Sequence, residues 1–138
     1  MKHIYRLFIA LLVLASLLTA CAPKSTSIEK IEPFKLEPIE GSDFQRVILT
    51  EKAAKRLDIQ TAPIRDGNVI PYAAVLYGLD GETWAYTNPE PLVFVRQSIV
   101  IDQINGDSVT LSEGPDTGTA VVIIGVAELY GAEVGVKK

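Results

Sequence analysis

The stretch Phe94-Val95-Arg96-Gln97-Ser98-Ile99-Val100-Ile101-Asp102-Gln103-Ile104-Asn105-Gly106-Asp107-Ser108-Val109-Thr110-Leu111 decides the fold class. β-Branched and aromatic residues, which suit a half-buried pleated surface, fill both of its halves. Asn105-Gly106 between them tolerates the positive φ that a tight hairpin turn demands. Alternation from Phe94 to Asp102 is imperfect, so a bulge or a switch of faces is expected midway. Outward from here, strands are expected at Ile59 to Ile64, Val69 to Leu76, Thr83 to Thr87, Leu92 to Gln103, Ser108 to Leu111 and Ala120 to Val126, with Asp80-Gly81 as a second turn signal. Pro71 marks a strand start or an edge. Thr50 to Leu57 reads as the one helix, with Thr50 as N-cap, Glu51 in the first turn, and Lys55 and Arg56 near the negative end of the dipole. The expected fold is mainly β: a small barrel or sandwich of about six or seven strands with one short helix, over residues 44–138.

The N-terminal part has a different grammar. Lys2, His3 and Arg6 precede fourteen uncharged residues, Leu7 to Ala20, a positive n-region followed by an apolar h-region. A spanning helix needs roughly 20 apolar residues, so this run is short for one. It closes on Leu18-Thr19-Ala20-Cys21, where small residues leave the backbone open to a peptidase and the Cys21 thiol is a nucleophile for a diacylglyceryl group. Residues 1–20 therefore read as a lipoprotein signal peptide, Cys21 as the palmitate-type acylation site, and membrane lipid as the first partner. Residues 21–43, with Pro23, Pro33 and Pro38 among Ser and charged residues, read as a flexible tether. The expected location is the extracytoplasmic face of a membrane, either outside the plasma membrane or on the periplasmic side.

Composition narrows the function by what is missing. The formal net charge is −4, and removal of Lys2 and Arg6 with the signal would take it to about −6, so nucleic acid is not an expected partner. The single His, Met and Cys are His3, Met1 and Cys21. A mature chain would hold no imidazole and no free thiol, which closes off zinc and copper sites and Ser-His-Asp or Cys-His catalysis. No cofactor is expected, and the chain is read as not an enzyme.

Tyr72, Tyr77, Trp84, Tyr86 and Phe94, with Tyr130, form an aromatic set. One reading makes Tyr72, Tyr77, Trp84, Tyr86 and Phe94 a contact surface for a partner or a small ligand; the plainer one makes them core and rim packing. Asp80, Glu82, Asp102, Asp107, Glu113 and Asp116 lie near expected turns. Their spacing does not match a calcium loop, and turn formation is a plainer role for them than a carboxylate pair for glycoside hydrolysis.

Taken in order, Leu57 to Ile64, Val69 to Leu76, Thr83 to Thr87, Phe94 to Ile101 and Gly118 to Leu129 resemble the C-terminal part of periplasmic adaptor proteins. These are the membrane fusion subunits of resistance-nodulation-division efflux pumps, including the heavy-metal branch. The resemblance covers about Val47 to Tyr130. It implies a β-barrel or membrane-proximal domain and a role as an accessory of a transmembrane transporter. Asp58 stands where that family commonly has glycine, and Gly114-Pro115 where it has Gly-Leu. There is no apolar heptad pattern for the long helical hairpin of full adaptors, and the metal-binding His and Met of some relatives have no counterpart.

Overall fold

Ala85 and Tyr86 are adjacent and both buried, and so are Val121 and Val122. Successive strand residues point to opposite faces, so the sheet that carries them is covered on both sides. The computed structural model describes residues 32–135. The expected signal segment, Leu18-Thr19-Ala20-Cys21 and the start of the expected tether lie outside the described residues.

Among the described residues there are ten strands and two α-helices. In chain order they are β1 (Phe34–Pro38), β2 (Gln45–Leu49), α1 (Glu51–Leu57), β3 (Gln60–Pro63), β4 (Val69–Pro71), a 3-10 turn (Tyr72–Ala74), β5 (Leu76–Tyr77), β6 (Thr83–Glu90), β7 (Val93–Ser98), β8 (Val100–Asn105), β9 (Ser108–Glu113), β10 (Ala120–Ile124) and α2 (Val126–Val134). A seven-stranded sheet runs β1-β2-β7-β6-β10-β3, with β5 also paired to β6, and a three-stranded sheet runs β4-β9-β8. The strand pairs are antiparallel. The fold is mainly β.

The larger sheet is the middle layer. On one face Ala85 and Val121 join Ile64, Ile70, Ala74, Ile99, Val109 and Leu111, so this core lies under the smaller sheet. On the other face Tyr86 and Val122 join Val47, Leu49 and Phe94 beneath Ala53 of α1 and Leu129 of α2. The switch expected between Phe94 and Asp102 falls at Ile99: β7 belongs to the large sheet, β8 to the small one, and Ile99 between them is buried.

Helix α1 forms as its caps dictate. Thr50 Oγ1 accepts from the Ala53 amide at 3.2 Å, and Asp58 ends the helix in the left-handed region at φ 51°, a conformation that Asp tolerates better than most side chains.

Four expectations are corrected. Residues 34–38 of the expected tether are strand β1, because Phe34 and Leu36 pair with Leu49 and Val47 of β2; the strand draws its stability from its neighbour, which composition does not reveal. The expected strand Val69 to Leu76 is broken by the 3-10 turn after Pro71. The last strand stops at Ile124, and the chain then forms α2. Gly125, at φ +94°, breaks the extended backbone, and a Cβ there would collide with Ile59 Cδ1. Val126, Leu129 and Tyr130, at helical spacing, pack on the core beside α1. The structure thus has ten strands and a second helix where six or seven strands and one helix were expected.

Candidate docking surface

The two-residue turn Gly106-Asp107 joins β8 to β9, with Gly106 at φ +57°. The Asp107 carbonyl accepts the Tyr72 amide at 2.8 Å, which brings the 3-10 turn to this end of the smaller sheet. Tyr72 in turn lies against Tyr77 of β5, with ring centroids 6.4 Å apart. Hydrogen bonding with the Tyr72 phenol, and then partial desolvation, raises the Tyr77 pKa above the ordinary phenol value, so the Tyr77 ring is uncharged at neutral pH.

An open groove of about 610 Å³ runs between the β5–β6 hairpin and β8. Tyr77, Gly81, Thr83 and Trp84 form one wall; Ser98, Ile99, Val100, Ile101 and Ile104 form the other. At the closed end the two walls are tied together: the Ile99 amide donates to Thr83 O at 3.0 Å, and Thr83 Oγ1 donates to Ile99 O at 2.7 Å. Gly78 lies so close to the Trp84 ring that a Cβ would overlap it, which holds the hairpin loop in place. Leu79, in that loop, is fully exposed.

Tyr77, Val100 and Ile104 are exposed large hydrophobics that line this groove, exposed Tyr72 lies against Tyr77, and exposed Leu79 is in the hairpin loop that leads to the lining residue Gly81; Ile124 and Val134 are exposed near the C-terminal end. Scattered apolar side chains on a surface need no explanation, but a contiguous set does. Strand β8 lies at the margin of its sheet, so one row of its backbone groups faces no strand of that sheet. Glu82 is the one charged residue lining the groove.

The expected aromatic contact surface therefore divides. Tyr72 and Tyr77 are exposed, whereas Trp84, Tyr86 and Phe94 are buried. Trp84, 8% exposed, still forms part of the groove wall, whereas Tyr86 and Phe94 are removed from the contact surface as a correction: they lie in the core, where burial of their large apolar area outweighs leaving them in water. Leu79, Val100 and Ile104 take their place and were missed by reading aromatics alone. A leucine between Gly78 and Asp80 in a turn was the available signal. Asp80, Glu82, Asp102, Asp107, Glu113 and Asp116 are all exposed. Among the described residues no three or more His, Cys, Asp or Glu side chains gather as a metal-holding group, and no helix is long and apolar enough to cross a membrane.

Beyond Trp84 lies a second cluster, buried and polar. Arg96 on β7 faces its cross-strand neighbour Tyr86 on β6, and both meet Glu133 of α2. Tyr86 donates its hydroxyl proton to Glu133 Oε2. Arg96 Nη2 donates to Oε1 at 3.2 Å, as does the Gln45 amide at 3.2 Å. Arg96 Nε lies 3.1 Å from Oε2, within ion-pair range, yet its N–H is aimed at no acceptor. The charge is thus compensated while one donor is not. The guanidinium is caged by Trp84 and Phe44, with ring centroids 4.5 and 4.6 Å away, and by Tyr130 at 5.3 Å. Such contacts contribute about 2 kcal/mol when desolvated. Burial first, and then the Glu133 hydrogen bond, pushes the Tyr86 phenol well above its ordinary value. This cluster closes α2 onto the sheet.

No family model, curated protein or solved structure matches this chain, so its function is argued from the groove and the sequence themselves.

Proposed function

We propose that this chain is a lipid-anchored, extracytoplasmic, non-enzymatic docking protein, an accessory subunit of a transmembrane transport complex. The observation that carries the reading is a set of large apolar side chains left in water: Tyr77, Val100 and Ile104 line one groove, with Tyr72 against Tyr77 and Leu79 in the adjoining hairpin loop. Each large side chain covered by a partner contributes about 1.5–3 kcal/mol, so such a rim is a source of affinity and otherwise a solubility liability. The Leu18-Thr19-Ala20-Cys21 sequence supports a membrane address. The order of the β segments, similar to that of efflux adaptors, supports a transporter as the protein that is met there.

Capture of a small ligand on an aromatic surface is the alternative. Its stacking platform is reduced, because Tyr86 and Phe94 lie in the core and Trp84 is only 8% exposed, and ligand sites cover most of their ligand whereas this groove is open. No observation favours it.

Two measurements test the proposal. Radiolabelled palmitate should label the protein in growing cells, and Cys21→Ser should abolish the label and release the protein from membranes. A photoreactive side chain in place of Leu79 should crosslink an integral membrane transport protein, whereas one in place of Lys52, on the exposed face of α1, should not. Equal crosslinking from both positions, or none from Leu79, overturns the docking role.

A further inference from the structure

The groove has a chemical character that selects its occupant. We infer that it takes an extended segment of a partner protein, alternating apolar with Lys or Arg residues, added as a strand to the free margin of β8. This inference rests on the docking reading above and narrows it.

Three features converge on that occupant. The six residues of β8 end the three-stranded sheet, so an incoming strand can continue the ladder, as in recognition by β-augmentation. At about 3.3 Å per residue, β8 offers roughly 20 Å, enough for a segment of six or seven residues. The side chains along the groove are apolar: Tyr77, Trp84, Val100, Ile101 and Ile104. Alternate side chains of an added strand would fall on that surface, and the ones between would point away from it. Charge decides the second set. Glu82 lines the groove, Asp80 stands two residues before it in the hairpin loop, and Asp102 follows the lining residue Ile101 on β8; all three are exposed. From Tyr72 to Glu113 the one basic residue is Arg96, and it is buried against Glu133. Arg65 is on the opposite side of the smaller sheet, next to β4, bonded to Ser108 Oγ at 3.0 Å.

The same charges disfavour the other occupants. A second copy pairing β8 with β8 would set Asp102 near Asp102, and like charges across a strand pair are destabilising. An anionic lipid surface would be repelled by Asp80, Glu82 and Asp102. An acidic partner strand fails for the same reason.

The full acylated chain, held in nanodiscs of phosphatidylcholine, is titrated with three fluorescent peptides. One is Lys-Val-Lys-Val-Lys-Val-Lys, the second carries Glu for every Lys, and the third has the first composition arranged in blocks. Saturable binding of the first is expected, with the other two roughly tenfold or more weaker and with binding that weakens as salt is raised. The double variant Asp80→Lys/Asp102→Lys, checked for an unchanged circular dichroism spectrum, should reverse the preference toward the acidic peptide. Ile104→Lys should lower affinity for the basic peptide. Equal binding of the block or acidic peptide, a preference that survives the charge reversal, or no saturation by about 1 mM overturns the inference. So does concentration-dependent dimerisation of the chain that Ile104→Lys abolishes. If Leu79 crosslinks a transport protein while the peptides show no preference, the strand proposal alone falls. If the peptide preference holds while no membrane protein is crosslinked, the docking reading falls and a peptide groove remains.

Discussion

The knot under α2 and the groove beside β8 share Trp84 as a wall, yet they treat their side chains in opposite ways. In the knot a full ion pair is withdrawn from water: the Glu133 side chain is 3% exposed and that of Arg96 10%. In the groove large apolar side chains are left in water although nothing in the local backbone requires it. Desolvating charge is costly unless partners are supplied, and the knot supplies them from β2, β6, β7 and α2. Leaving apolar surface in water is costly unless something covers it. The knot finds its charge partner within the chain, and the proposed docking role assigns the cover of the groove to another molecule.

The comparison breaks first at the knot. Glu133→Ala strands the Arg96 charge and should destabilise the fold by about 3–5 kcal/mol in urea denaturation, whereas Arg96→Met combined with Glu133→Leu should recover most of that loss. If the single change costs under 1 kcal/mol, Arg96 has reached water and the contrast disappears. Gly125→Ala, which adds a Cβ against Ile59 at a left-handed position, should cost about 3 kcal/mol and detach α2 from the sheet; a lowered melting temperature and faster amide exchange in α2 report it.

Alkaline pH acts on the knot through Tyr86. Its phenol is raised in the folded chain above the ordinary 10.0, so the unfolded chain ionises first. The stability linked to Tyr86 is whole below pH 10 and falls as pH rises beyond it. Tyr86→Phe should flatten that decline while lowering stability at neutral pH. Asp58→Gly removes a side chain from a left-handed cap and should stabilise α1 by roughly 0.5 kcal/mol, the gain being reduced by loss of the 2.8 Å bond from Gln60. Smallest of all, Leu79→Ser and Val100→Thr should shift the unfolding free energy by under about 0.5 kcal/mol while weakening crosslinking from the groove. A large loss of stability from either would show the rim to be part of the core.

Much of the strand pattern is legible before any coordinates. β6 and β9 lie where β-branched runs and turn residues place them, the run from Leu92 to Gln103 holds β7 and β8 on either side of the break expected between Phe94 and Asp102, and Thr50 caps α1. These features depend on neighbours in sequence. The failures share a cause. β1 is held by pairing with β2, and α2 is fixed by Gly125 against Ile59 and by Glu133 against Arg96, contacts between residues far apart in the chain. Arg96 also shows why alternation along β7 looks imperfect: a cation at an inward position breaks the pattern until its carboxylate is placed. The aromatic set was chosen by residue type, and type alone does not separate Tyr77 at the rim from Tyr86 in the core.

By itself the amino-acid sequence determined a mainly β domain with its turns and first helix, because turn geometry, capping and strand propensity act over a few residues. Tertiary structure alone decided which hydrophobics remain in water, which charge is buried, and that a helix follows β10. Those outcomes depend on how much surface distant segments cover, a quantity that exists only once they have met.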